Sequence, residues 1–314
     1  MIRRIVMLIF ALLLLMGVAW AEGEFPELNE AGFLDEGEFV YENDEEGVWR
    51  YVSTTLKVEI YRRKQTEKPK QVWYEAEIWS ACETQDDVFR MIANNPDKRM
   101  KSQAYPYKIA RKNQTVFAIN SDFAQLRMTQ KKRMGIIIRD GEILSEKTVA
   151  KNKGTFPNLD TLALFPDGDM QVFWSDEKKA AEYLEMGATD VLAFGPWLIR
   201  DGELNEKGLK KYGTSAAQRT AIGMVEKGHY FAMMLEGRRT DAKGAGISFL
   251  AEKLLEKGCQ VAFNLDGGQT SCMVFMGHQI CDIAKGTGNV SSRKTAEILG
   301  IGVSDLVRSE DDPW

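Results

Sequence analysis

The chain has 314 residues, 44% of them hydrophobic, and a formal net charge of −5. That composition permits a large core and gives the molecule no electrostatic drive toward nucleic acid. Its two histidines, His229 and His278, stand near turn signals with no metal-ligand spacing around them.

At the N-terminus, Arg3 and Arg4 precede an apolar run over residues 5–18 and then Ala19-Trp20-Ala21. This is the layout of a secretory signal cleaved after Ala21, so residues 1–21 are read as a signal peptide. The expectation is an exported protein, secreted, periplasmic or in the cell envelope, with no stable membrane span after cleavage. No cysteine lies near the junction, which argues against a lipid anchor. Residues 22–50 form an acidic leader containing "EGEFPELNE" and "DEGEFVYENDEEG", and residues 304–314 form an acidic tail ending in "SEDDPW". Both are read as solvated segments.

Residues 51–109 supply N-terminal strands and a helix. The runs "WRYVSTTLKVEIYRRK" and "QVWYEAEIWSA" alternate and are rich in aromatic and β-branched residues, which predicts strands. "TQDDVFRMIANN" predicts a short helix ended by Pro96, and "QTVFAINSDFA" a buried strand running into a polar corner. Asp140-Gly141, Pro166-Asp167-Gly168 and Asp201-Gly202 each separate apolar runs and predict hairpins. Two helices are expected: one over "SDEKKAAEYLEMG" from an N-cap at Ser175, and one over "SFLAEKLLEKG" from an N-cap at Ser248. The second carries an apolar face of Leu250, Leu254 and Leu255. The fold class that follows is α+β (mixed α/β), a single domain with a mixed, largely antiparallel twisted sheet and helices packed on it.

The richest region is 219–271. "RTAIGMV" and "HYFAMMLEG" flank Glu226-Lys227-Gly228 and should pair, placing Arg219 opposite Leu235 or Glu236. The second strand leads through a helix into "CQVAFNLDGG", so both strands share one sheet and one direction. Glu236-Gly237-Arg238-Arg239 and Asp266-Gly267-Gly268 therefore leave at the same edge, where Arg219, Glu236, Arg239 and Asp266 converge. Bare backbone at two glycines, with the hydroxyls of Thr270 and Ser271, can grip an anion. A plain tight turn is the competing reading of Asp-Gly-Gly, and the basic rim favours the anion site. Asn120 and Asp122 follow a buried strand; Gly195 interrupts "VLAFGPWLI"; Arg293 ends the loop "GTGNVSS". If "SCMVFMGHQICD" is a hairpin turning at Met276-Gly277, Cys272 faces Cys281 and a disulfide is feasible. Cys82 and Cys259 have no inferable partner.

"VFAINSDFA", "VLAFGPWLIRDGE", "RTAIGMV", "VAFNLDGGQTS" and "SSRKTAEILGIG" stand in the order found in the phosphodiester glycosidase family, which the chain resembles over residues 110–303. The resemblance implies a site of Asn120, Gly195, Arg219, Asp266, Gly267, Gly268 and Arg293, acting on a phosphodiester-linked glycan. The chain departs from the family pattern at Gln269-Thr270 and Ser121-Asp122, where side chains replace glycines. The implied reaction hydrolyses the glycosidic bond of a sugar-1-phosphodiester. In it Arg219, Arg293 and the glycine loop hold phosphate, Asp266 acts on water or the anomeric carbon, Asn120 and Asp122 orient the sugar, and Glu236 stands in reserve. No cofactor is expected. Two other readings stay open: a Ca²⁺- or Mg²⁺-dependent phosphodiesterase cleaving P–O, and a noncatalytic envelope-glycan binding module.

Overall fold

A computed structural model describes residues 25–122, 135–147, 159–212, 215–282 and 292–312. The segment expected to be a signal peptide and most of the "GTGNVSS" loop lie outside these residues. Among the described residues no helix is long and apolar enough to cross a membrane.

The acidic leader is part of the fold. β1 (Phe39–Asn43) pairs with β2 (Val48–Val52), and β2 with β3 (Leu56–Gln65). The run read as one strand is broken between β2 and β3 because the Ser53 hydroxyl takes the N–H groups of Thr55 and Leu56 at 3.3 and 3.1 Å, a local turn that competes with the ladder. Glu42 of the leader meets Arg308 at 2.6 Å, and Glu38 accepts from Tyr51 and Ser304 at 3.0 and 2.5 Å. Leader and tail are tied together by these acids rather than free in solvent.

β4 (Gln71–Ser80) follows, and then the expected helix over "TQDDVFRMIANN" is absent. A single 3₁₀ turn at Gln85–Asp87 gives way to β5 (Arg90–Ala93), which pairs with the last strand of the chain. Met91, Ile92 and Ala93 are buried there, so sheet pairing overrides the helical spacing. A helix that sequence reading missed, α1 (Pro106–Lys112), starts on Pro106 and leads into β6 (Thr115–Asn120), buried at every residue.

Next come β7 (Gly135–Arg139), β8 (Glu142–Lys147), β9 (Asp160–Leu164) and β10 (Met170–Phe173), joined by two of the expected hairpins. The helix expected from Ser175 begins at α2 (Ala180–Glu185) instead: the Glu177 N–H closes a turn on the Trp174 carbonyl at 3.1 Å, and the Glu182 carboxylate takes the Lys179 N–H at 2.7 Å, which makes Lys179 the N-cap. β11 (Asp190–Phe194), β12 (Trp197–Arg200) and β13 (Glu203–Leu204) precede α3 (Glu206–Tyr212). β14 (Arg219–Glu226) and β15 (His229–Leu235) form the expected hairpin, with Arg219 opposite Leu235. α4 (Ile247–Glu256) is capped by Gly246 rather than Ser248, and its buried stripe is Ile247, Leu250, Ala251 and Leu254. That stripe has helical spacing, and it leaves Leu255 36% exposed. β16 (Val261–Asn264), β17 (Met273–Phe275), β18 (His278–Gln279) and β19 (Glu297–Val303) complete the chain.

Three sheets result: nine strands in the order β1-β2-β3-β4-β15-β14-β16-β12-β13, and two of five, β10-β9-β11-β7-β8 and β18-β17-β6-β19-β5. Every pairing between described strands is antiparallel. One core joins the inner face of the large sheet to the small ones through Trp49, Ile60, Ile78, Phe117, Phe263 and Phe275. A second lies between α4 and the opposite face of β14, β15 and β16. Because β14 separates them, β15 and β16 run in one direction and end at one edge, as expected.

Candidate active site

At that edge β16 opens into a loop. Leu265 keeps the ladder alive through Thr220 at 2.9 Å, then Asp266 and Gly267 lead into a 3₁₀ turn at Gly268–Thr270. The Asn120 side chain, at the end of β6, clamps both ends of this loop. Its Nδ2 donates to the Asp266 carbonyl at 2.8 Å and its Oδ1 accepts from Cys272 N–H at 3.0 Å. Asn120 therefore holds the loop rather than presenting its amide to a ligand. Gly267 is required by packing: a Cβ there would stand 2.9 Å from the Gln218 carbonyl. Gly268 has φ +67°, which favours glycine, and donates its N–H to the same carbonyl at 3.0 Å.

Three arginines surround this loop. A Cβ on Gly267 would lie 3.5 Å from Arg219 Nη1, and one on Gly268 3.7 Å from Arg238 Nη1. Arg293 donates its N–H to the Gln269 carbonyl at 2.9 Å and Nη2 to Gln269 Oε1 at 3.4 Å. The glutamine that departs from the family pattern is thus engaged by Arg293. Among the described residues Arg219 donates to neutral groups, Ser215 O and Oγ at 2.8 and 2.9 Å and Ala245 O at 3.4 Å. Burial, and then the neighbouring Arg238 charge, lower its pKa. Two guanidiniums thus face one glycine loop, and among the described residues no carboxylate pairs with Arg219 or Arg238. Thr270 and Ser271 are fully buried, and neither hydroxyl finds a partner among the described residues.

Arg238 is the residue that sequence reading missed. Its neighbour Arg239, chosen instead, is held by three carboxylates: Asp241 at 2.5 Å, Asp282 at 2.6 Å and Glu236 at 3.1 Å. It fixes the turn on which Arg238 sits with φ +61°, and it is not available to a phosphate. Glu236, the reserve carboxylate, is likewise consumed. It is 1% exposed, accepts from Tyr74 OH at 3.1 Å and Asp282 N–H at 2.9 Å, and pairs with Arg239. Burial raises its pKa. Asp122 is a third correction. Its Oδ2 accepts from Ala193 N–H at 3.0 Å and meets the fully buried Arg139 at 3.5 Å, and Arg139 also pairs with Glu297 at 2.9 Å. That carboxylate is a counter-ion of the interior.

Gly195 has φ +76°, and a Cβ on it would lie 2.8 Å from that of Asp160. Its carbonyl accepts from Asn264 Nδ2 at 2.8 Å, so its close approach is to the protein's own side chains. Asp160, absent from the sequence-based candidates, is fully buried, and burial pushes its carboxyl up to about 6. Of the carboxylates expected to act, Asp266 alone remains at the rim with the arginines. Among the described residues no group of three or more His, Cys, Asp or Glu side chains is arranged to hold a metal.

The family model described as phosphodiester glycosidase matches residues 113–302 of this geometry. The chain belongs to the phosphodiester glycosidase family. The matched region contains the loop, all three arginines and the Asn120 clamp. The chain is also 27% identical over 180 residues to the SPbeta prophage-derived uncharacterized protein YomE of Bacillus subtilis strain 168; that match spans 57% of this chain and only 27% of YomE. The fold is similar to the catalytic domain of zebrafish N-acetylglucosamine-1-phosphodiester alpha-N-acetylglucosaminidase, auto-inhibited by its pro-peptide. The TM-score is 0.63 and the identity 17%, over 80% of this chain and 85% of that one. A hypothetical protein from Synechocystis shares the fold at a TM-score of 0.53 and 13% identity, over 79% of this chain and 62% of its own. A putative exported protein of Burkholderia pseudomallei does so at 0.52 and 10%, over 74% of each chain.

Proposed function

We propose that this family member is an exported hydrolase that cleaves the glycosidic bond of a sugar-1-phosphodiester, releasing sugar and a phosphomonoester. The observation that carries the reading is the pair of guanidiniums, Arg219 and Arg238, placed on the two glycines beside Asp266, where the Arg238 charge works against that of Arg219. A part-buried Arg219 beside an exposed Arg238 suits an anion reaching the loop from solvent, and guanidinium–phosphate hydrogen bonds are charge-assisted. A phosphate leaving group is already a good anion, so it needs no protonation by a general acid. This removes the demand for the paired carboxylates of ordinary glycosidases. One carboxylate is then sufficient: Asp266 assists water or steadies positive charge at the anomeric carbon, while Arg219 and Arg238 stabilise the departing phosphate. Arg293 acts through Gln269, and Asn120 keeps Asp266 in place.

The test uses N-acetylglucosamine-1-phosphodiesters, with inorganic phosphate titration as an independent readout. Arg219→Ala and Arg238→Ala should each lower kcat/KM by about 10²–10³, the loss seen when one charge-stabilising donor is removed. Both should weaken phosphate binding while leaving the melting curve near wild type. Normal turnover in both variants would defeat the assignment. Release of sugar-1-phosphate, or complete loss of activity in chelator, would replace it with metal-assisted P–O cleavage.

A further inference from the structure

The β17–β18 hairpin has two buried, free cysteines at its open end, Cys272 and Cys281. Val274 pairs with Gln279 and Phe275 with His278, around a turn at Met276 (φ 47°) and Gly277 (φ 76°). Ile280 N–H donates to the Met273 carbonyl at 3.1 Å. The next position outward is therefore the pair Cys272 and Cys281, at a place in the ladder that carries no hydrogen bond. Cα atoms at such pairs are generally about 4.5 Å apart, within the roughly 4.4–6.8 Å that a disulfide spans. The Cys281 sulfur already lies against this neighbour, accepting the Met273 N–H at 3.3 Å. Cys272 is 0% and Cys281 4% exposed.

What the two residues anchor gives the pair its consequence. Cys272 N–H is held by Asn120, the side chain that also holds the Asp266 carbonyl. Cys281 precedes Asp282, whose N–H donates to Glu236 and whose carboxylate accepts from Arg239. One sulfur thus stands at the exit of the glycine loop, and the other beside the ionic hub that fixes the Arg238 turn.

We propose that Cys272 and Cys281 are a covalent modification site, closing to a disulfide that ties the glycine loop to the arginine turn. A disulfide-bearing oxidant supplies the redox balance. One thiolate attacks it to form a mixed disulfide, the second displaces the remaining thiol, and the two electrons and two protons leave on the reduced oxidant. Burial pushes the Cys272 thiol up to about 12 and raises that of Cys281 well above its ordinary value, with Cys272 adding to the rise. The folded, reduced hairpin is therefore a slow nucleophile, and the bond is set while the chain folds. Cys82 lies apart, its sulfur 3.5 Å from Tyr230 OH, and Cys259 packs under Gly223.

The full chain is refolded from guanidinium chloride in reduced and oxidised glutathione, alkylated in denaturant, and cleaved with cyanogen bromide. Cleavage after Met273 and Met276 places Cys272 and Cys281 on different fragments. The expected result is alkylation of Cys82 and Cys259 only, with the 277–314 fragment joined, until reductant is added, to the 235–273 fragment, which carries both Cys259 and Cys272 and whose alkylated Cys259 assigns the bridge to Cys272. Dithiothreitol should open the bridge at least tenfold more slowly in the native than in the denatured protein. The Cys272→Ser/Cys281→Ser variant should melt a few degrees below the oxidised wild type. Alkylation of both Cys272 and Cys281 after oxidative refolding would overturn the proposal, as would a bridge to Cys82 or Cys259. None of these readouts depends on the glycosidase reaction.

Discussion

Asp160 shows how one buried residue sets a pH dependence. Its carboxyl is pushed up to about 6 by burial, against backbone hydrogen bonds from Ser175 and Trp197 that lower it, whereas an unfolded Asp titrates near about 3.9. The folded state therefore takes up a proton as pH falls. The burden of burying the ionised form is fully present above about pH 6 and gone below about pH 4. Asp160→Asn should raise the melting midpoint by a few degrees at pH 7.5 and leave it unchanged near pH 4. Equal effects at both pH values would remove Asp160 as the source. Neither this residue nor Arg238 was legible in the sequence. An isolated Asp in "NLDTLALF" carries no sign that Gly195 and Ser175 close over it. Which of two adjacent arginines faces the loop depends on where Asp241 and Asp282 stand.

Those acids define the relevant element, the turn after β15. Arg239 compensates the buried Glu236, and removing one member of a buried pair leaves an uncompensated charge, at a loss of about 3–5 kcal/mol. Arg239→Ala should be destabilised by that order in denaturant titrations, and adding Glu236→Gln should recover more than half. A full loss in the double variant would show that Arg239 acts through Asp241 and Asp282 instead. Hairpin registers, by contrast, were legible: Asp140-Gly141, Asp201-Gly202 and Met276-Gly277 each specify a two-residue turn, and alternation does the rest. The helix expected over "TQDDVFRMIANN" failed because pairing with β19, two hundred residues downstream in the chain, decides its conformation.

Across the whole molecule, family likeness and structural integrity have different boundaries. The matched region ends at residue 113 on its N-terminal side, yet β4 pairs with β15, and Trp49, Tyr51, Val58, Ile60, Tyr74 and Ile78 belong to the main core. At about 1.5–3 kcal/mol for each large buried side chain, their removal is of the same size as the 5–15 kcal/mol that a domain has in hand. A fragment of residues 113–314 should show no cooperative melting transition, and one of residues 25–314 should show a single one. A folded shorter fragment would mean that the small sheets form an independent core.

Hydrolysis in ¹⁸O-labelled water distinguishes cleavage at the anomeric carbon from cleavage at phosphorus. With an N-acetylglucosamine-1-phosphodiester as substrate, the label is expected on the sugar hydroxyl, with an unlabelled phosphomonoester, unchanged by EDTA. Label in the phosphate would contradict cleavage at the anomeric carbon, since the water would then have attacked phosphorus and not the carbon beside Asp266.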